Sequence, residues 1–120
     1  MIRGADILLH EILEAIQLVE RYTNGLTYLD FEADVEKQDA VIRRLEIIGE
    51  AVKGLPDELR SKYSEVPWSD IAGARDIMIH EYFRIDLELA WEMVQDDLPR
   101  LARVVRRILT EQFPSDDESV

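Results

Sequence analysis

Apolar residues recur every three or four positions along almost the whole chain, and that period belongs to the α-helix. Over 5–22 it places Leu8, Leu9, Ile12, Ile16 and Val19 on one face, with Glu11, Glu14 and Glu20 elsewhere. Thr23-Asn24-Gly25 supplies a stop, Asn and Gly being natural left-handed caps. A second helix is expected over about 32–54, where Val41, Leu45, Ile48 and Val52 step by four, three and four. Gly54 ends it, and Pro56 opens a short helix over 56–63 at the first-turn position that tolerates proline. Pro67-Trp68 begins a segment over 67–83. Asp86 is a natural N-cap for 87–97, with Leu87, Trp91, Val94 and Leu98 as its stripe. Pro99 falls near the first turn of a last helix that turns Leu101, Val104, Val105 and Ile108 inward. No strand-like alternation of useful length and no internal repeat interrupts this pattern. The expected fold is all-α, an antiparallel helical bundle of four main helices plus a short one, in a single domain over 1–113. Residues 114–120, with Asp116, Asp117 and Glu118, read as an acidic, disordered tail.

A chain that is 47% apolar can bury a real core without a covalent staple. It contains no cysteine, which excludes a disulfide framework and a cysteine-ligated zinc site. Asp6, Glu11 and Glu14 interrupt any apolar run a secretory signal would need. No stretch approaches the ~18 apolar residues of a membrane span, so the cytoplasm is the expected location. The net charge of −12 argues, as a total, against a nucleic-acid binder. Its distribution says more. Arg100, Arg103, Arg106 and Arg107 form a basic stripe on the last helix, and Arg43 and Arg44 sit on the second. With Arg75 and Arg84 these could line a cleft; equally, the terminal arginines could simply favour the helix dipole and pair with neighbouring acids. Gly49, inside the second helix, costs about 1 kcal/mol relative to alanine. Close approach of another helix, within the chain or across a dimer, is the simplest compensation. Its neighbour Glu50 faces either a cleft or solvent.

The chemistry-bearing stretch is 67–83. Asp76 and His80 are four apart and share a helix face, where a carboxylate can hold an imidazole in one tautomer and favour its protonated form. That suits a general acid/base. Arg75 brings a permanent planar cation able to grip a phosphate through two N–H groups. Tyr82 offers a phenol that can position a phosphate or be modified. On an ideal helix Arg75 and His80 differ by about 140°, so a bend or a second subunit would be needed to bring them together. The bland alternative is a surface Asp76–His80 pair beside a solvated arginine. His10, with Asp6 and Glu14 each four residues away, reads as a surface helix position.

The run Arg75-x4-His80-x-Tyr82 resembles the R-x4-6-H-x-Y signature of HEPN domains, and the wider sequence is similar to their HepT branch, the toxins of HepT/MNT toxin–antitoxin pairs. The likeness extends over 39–51, Pro67-Trp68, Ile71-Ala72-Gly73, His80-Glu81-Tyr82-Phe83 and Trp91, covering roughly residues 5–110. The polar residue after the signature arginine is also matched, by Asp76. The resemblance implies a HEPN-like helical bundle that forms a homodimer, with the Arg/His motifs at a shared cleft. It implies a metal-independent endoribonuclease, needing no cofactor, in which the 2′-hydroxyl of the RNA (tRNA or mRNA) is the nucleophile. His80 would be the acid/base, Arg75 would stabilise charge on the phosphate, and Asp76 would orient one of them. Glu50, Arg43 and Arg84 become candidates for contacting substrate. In the HepT branch an MNT-type nucleotidyltransferase, the antitoxin, attaches AMP to the signature tyrosine, here Tyr82, in what is classed as a type VII-like system. The alternatives are a non-catalytic, nucleotide- or partner-binding helical subunit of a nucleotidyltransferase complex, and a structural bundle with no site.

Overall fold

The structure is a computed structural model that describes residues 4–73 and 86–114. The described residues are helices and short connections: α1 (Ala5–Thr23), α2 (Tyr28–Glu32), α3 (Val35–Lys53), α4 (Asp57–Lys62), α5 (helical over 68–73), α6 (Leu87–Glu92), a π-helical turn (Met93–Asp97) and α7 (Leu98–Gln112). No strand occurs among them, as the periodicity predicts for an all-α chain. None of the helices described is long and apolar enough to cross a membrane.

The centre is the pairing of α1 with α3. Leu9, Ile12, Ile16 and Val19 of α1 are buried, as are Val41, Leu45, Ile48 and Val52 of α3. Two contacts give the direction. A Cβ at Gly54, just beyond α3, would stand 2.9 Å from Leu8 Cδ1 near the start of α1. At the opposite end the Lys37 ammonium lies 5.8 Å from the Tyr22 ring centroid. The two helices therefore run antiparallel. α7 packs on α1 and contributes Leu101, Val104, Val105 and Ile108 to the core. Gly49, the interior glycine of α3, is buried.

The link between α1 and α3 departs from the expected pattern. At its start Gly25 takes the left-handed conformation (φ 78°), whereas Asn24 does not (φ −57°). A separate helix, α2, then occupies 28–32, and α3 begins at Val35 rather than near 32. Thr27 accounts for α2. Its hydroxyl accepts from Asp30 N–H at 3.2 Å while the Asp30 carboxylate accepts from Thr27 N–H at 2.9 Å, a reciprocal capping box. The bond from Thr27 N–H to the carboxylate, helped by the Thr27 side chain, favours the ionised form of Asp30 and holds its pKa below the ordinary value. Asp34 caps α3 by accepting from Lys37 N–H, and the Gln38 amide donates to the carbonyls of Phe31 and Glu32. A five-residue helix cannot stand by itself. Phe31, fully buried against Trp91 with ring centroids 5.3 Å apart, anchors this one.

The second departure lies at Pro99. The sequence suggests two helices, 87–97 and a new one at the proline; helical structure instead runs without interruption from Leu87 to Gln112. A straight α-helix here would press the proline ring against the carbonyl of residue 95 and lose one hydrogen bond. The π turn over Met93–Asp97 widens the helix just before that point, with Leu98 N–H reaching back to the Met93 carbonyl. Pro99 follows directly, in the first turn of α7. Asp86 caps α6 as expected, accepting from Leu89 N–H at 3.0 Å. Pro56 is the N-cap of α4 rather than its first helical residue.

Two predictions follow from this packing. Phe31→Ala leaves a cavity under α2 and is expected to lower the unfolding free energy by about 3–5 kcal/mol, read from the urea midpoint at unchanged slope; a loss below ~1 kcal/mol would mean that α2 is not anchored by this ring. Asp97, at the end of the π turn, has its pKa raised by partial burial and by the charges of Asp96, Asp70 and Glu92, against the pull of Arg100. A raised folded pKa means that the folded chain keeps a proton the unfolded chain has released. Stability from this carboxyl is present at low pH and lost as pH climbs through its folded pKa. Asp97→Asn is therefore expected to raise the melting temperature at neutral pH, with the gain shrinking towards zero below the ordinary aspartate pKa of about 3.9. A gain that is the same at both pH values would contradict this account.

Candidate functional site

The signature residues Arg75, Asp76, His80 and Tyr82, together with Arg84, lie outside the described residues, as do Asp116–Glu118 and the remainder of the helix expected over 67–83. What the structure gives is the framework on either side of them. On the N-terminal side α5 is held by the core: Trp68, Ile71 and Ala72 are buried, and Trp68 Nε1 donates to the Tyr63 carbonyl at 2.9 Å. On the C-terminal side the chain is fixed again at the Asp86 cap.

The segment leading into α5 runs antiparallel to α7 and is pinned to it at two levels. The Tyr63 hydroxyl donates to Glu111 at 2.6 Å and receives a bond from the Gln112 amide at 3.2 Å. Burial and the Glu111 carboxylate raise the Tyr63 pKa, keeping the phenol protonated. Four residues earlier on α7, Arg107 pairs with Glu65 at 2.7 Å and lies over the Tyr63 ring, 5.3 Å from its centroid. At the far end Asp70 is close enough to Asp97 to disfavour its ionisation. Sequence pairs 63–111, 65–107 and 70–97 thus advance in opposite directions. The Tyr63 network was not foreseen from the sequence, since its partners are 48 and 49 residues apart.

Between the 107 and 97 levels lie Arg100 and Arg103, both exposed. With Glu65, Val104 and Arg107 they line a concavity of about 510 Å³. A second concavity of about 590 Å³ is lined by residues of α4, α5 and the connection between them, among them Arg60, Ser61, Ser64 and Asp70. A third, of about 290 Å³, lies between α1 and α3. It brings together Arg43 and Glu50, two turns apart on α3, with Glu11, Glu46 and the apolar Leu8 and Ile47. Glu50 also faces Lys53 at 3.9 Å. So two of the residues expected at a cleft share one groove, while the basic stripe of α7 borders a different one. His10 is exposed on α1. Arg106 lies off the line of Arg100, Arg103 and Arg107 by about 60° or more, at 100° per residue.

Residues 12–108 match the family model described as "Ribonuclease HepT-like", a span that includes every residue of the signature. Among curated relatives, the chain is 49% identical over 111 residues to a Methanocaldococcus jannaschii protein named "Gamma-glutamylcyclotransferase and putative RNase". That alignment covers 92% of this chain and 50% of the relative, so the chain spans half the length of that protein. It is 45% identical over 103 residues to a "Putative RNase" of Caldanaerobacter subterraneus, covering 86% of this chain and 91% of the relative. It is 44% identical over 93 residues to the "Probable ribonuclease HepT" of Thermococcus cleftensis, covering 78% and 84%. No solved structure matches. By a match over most of its length and by the identity of these relatives, the chain belongs to the HepT-like ribonuclease family.

Proposed function

We propose that this chain is the toxin of a toxin–antitoxin pair, a homodimeric endoribonuclease that cuts RNA without a metal and is silenced by AMP transfer to Tyr82. The observation that carries the reading is Arg75-x4-His80-x-Tyr82, intact within the span that matches the ribonuclease family. The curated relatives carry ribonuclease names as well.

The chemistry follows from these groups. His80, as general base, takes the proton of a ribose 2′-hydroxyl, whose oxygen attacks the adjacent phosphorus. The bond from phosphorus to the 5′-oxygen breaks, leaving a 2′,3′-cyclic phosphate, and the 5′-oxygen leaves with a proton supplied by an imidazolium, from the same motif or its copy in the partner subunit. Arg75 offsets the charge that gathers on the non-bridging oxygens as phosphorus becomes five-coordinate. Asp76 orients His80 or Arg75. Because the nucleophile is part of the substrate, no metal-activated water is required. Arg43 and Glu50, in the α1–α3 groove, and Arg84 are candidates for contacting the RNA, a tRNA or mRNA in the cytoplasm.

Silencing is a second, separable step. The Tyr82 phenol oxygen attacks the α-phosphorus of ATP on an MNT-type nucleotidyltransferase, forming a phosphodiester to AMP and releasing pyrophosphate. The added phosphate places negative charge two residues from His80 and competes with a substrate phosphate for Arg75.

Purified chain free of any antitoxin, incubated with total RNA and tRNA in excess EDTA, is expected to cleave, and His80→Ala to lose cleavage by at least ~100-fold while keeping its helical circular dichroism. Absence of cleavage by well-folded wild type would overturn the nuclease reading. For the regulatory step, a cognate nucleotidyltransferase with ATP is expected to add the mass of AMP to wild type and none to Tyr82→Phe; intact-mass measurement decides it, and equal gain by both proteins would remove Tyr82 as the acceptor.

A further inference from the structure

The basic stripe on α7 has no role in the cleavage chemistry above, yet its geometry is specific. At about 100° per residue, Arg100, Arg103 and Arg107 fall within a 60° arc of α7, and at ~1.5 Å per residue they extend over roughly 10 Å of its axis. They are not equivalent. Arg107 is occupied: Glu65 accepts its hydrogen bond at 2.7 Å and the Tyr63 ring lies beneath it. Arg100 and Arg103 are exposed and make no salt bridge among the described residues; Arg100 acts at longer range on Asp97, and Glu65, engaged with Arg107, lines the same concavity. Among the described residues, the two guanidiniums therefore border the 510 Å³ concavity without an ion pair, beside the buried Val104. A guanidinium fork matches the two non-bridging oxygens of a phosphate. Two cations one turn apart on a concave face match successive phosphates of a strand better than an isolated anion. The face borders residues 63–70, the stretch that leads in sequence to Arg75.

We propose that Arg100 and Arg103, with the concavity they line beside Arg107, bind the phosphodiester backbone of an RNA strand outside the cleavage signature. The inference rests on the ribonuclease reading for the identity of the polyanion. Against a net charge of −12, attraction can come only from a local cluster such as this one.

The test measures binding apart from cleavage. A fluorescent 2′-O-methyl oligouridylate has no free 2′-hydroxyl and cannot be cut by the proposed chemistry. Its affinity for the full chain is measured by anisotropy across a salt series in EDTA. Arg100→Gln/Arg103→Gln is expected to weaken binding on the order of tenfold or more at ~0.1 M salt and to flatten the slope of log K against log salt by about 1.4, at ~0.7 per phosphate contact on a single strand. Each single variant is expected to give about half that change in slope. Arg100→Lys/Arg103→Lys, which keeps the charge, is expected to restore the slope. Arg21→Gln, an exposed arginine of α1, is the control for net charge and is expected to leave the slope as in wild type. All variants sit on exposed positions, and melting curves verify their folding.

Wild-type affinity and slope in the double variant would overturn the proposal, as would an equal loss in Arg21→Gln. A double variant that loses binding to poly-glutamate but keeps RNA would assign the face to an acidic protein instead, and also overturn it. Because the probe is uncleavable, a failed cleavage assay leaves this result standing, and a failed binding assay leaves the cleavage result standing.

Discussion

The antiparallel contact between α1 and α3 is the constraint on which the other elements depend. Both helices have 19 residues, and each turns a stripe of β-branched and leucine side chains onto the other. Burying those stripes is the main favourable term available to a chain with no disulfide. The short helices do not stabilise themselves. With five or six residues, α2 and α4 lie below the length at which helix propagation repays nucleation. They persist because Phe31 and Leu59 are drawn into the core. A mutation in the α1–α3 seam therefore acts on every element, whereas one in the Thr27 capping box acts on α2 first.

A second constraint positions the segment of interest. Residues 63–70 meet α7 and the π turn through groups of different character: a buried phenol donating to a carboxylate, an arginine held between a carboxylate and a ring, and a pair of like charges. The first two are attractive and the third is not. Repulsion near Asp97 coincides with the π turn, where the helix has already given up regular hydrogen bonding to accommodate Pro99. The destabilising features are thus concentrated at one end of the α7 pairing, beside α5, while the stabilising ones sit at the other.

How much of this could be read from the sequence differs by element. The faces of α1, α3 and α7 were legible because each rests on a local period: of the residues assigned inward, those at 9, 12, 16, 19, 41, 45, 48, 52, 101, 104, 105 and 108 are buried and Leu8 is half-buried at the edge. α2 escaped because five residues show no period, although Thr27-x-x-Asp30 was a visible capping signal. The unbroken helix through Pro99 was misread for a physical reason: proline ends a helix only when the helix cannot widen, and a π turn is a tertiary accommodation with no local sequence mark. The grooves were out of reach for the same reason. Arg43 and Glu50 share a helix face by spacing alone, but that Leu8 and Glu11 close the groove depends on how α1 meets α3. The signature was legible as a motif because its information is residue type and spacing, and its family match covers it.

The charge distribution also limits how an RNA could be held. The arginine face is about 10 Å long, comparable to the Debye length of roughly 10 Å at 0.1 M salt. Asp96 and Asp97 lie just beyond one end and Glu111 beyond the other. On the binding proposed for this face, a phosphate over Arg100 or Arg103 would be attracted, and one displaced by a turn or more would meet carboxylates and be repelled. The same acids that give the chain its net charge of −12 thus frame the cations instead of simply cancelling them. A uniformly basic surface would let a strand slide and wrap in many registers. A short basic face between acids favours one, and a nuclease needs its strand held in a defined position.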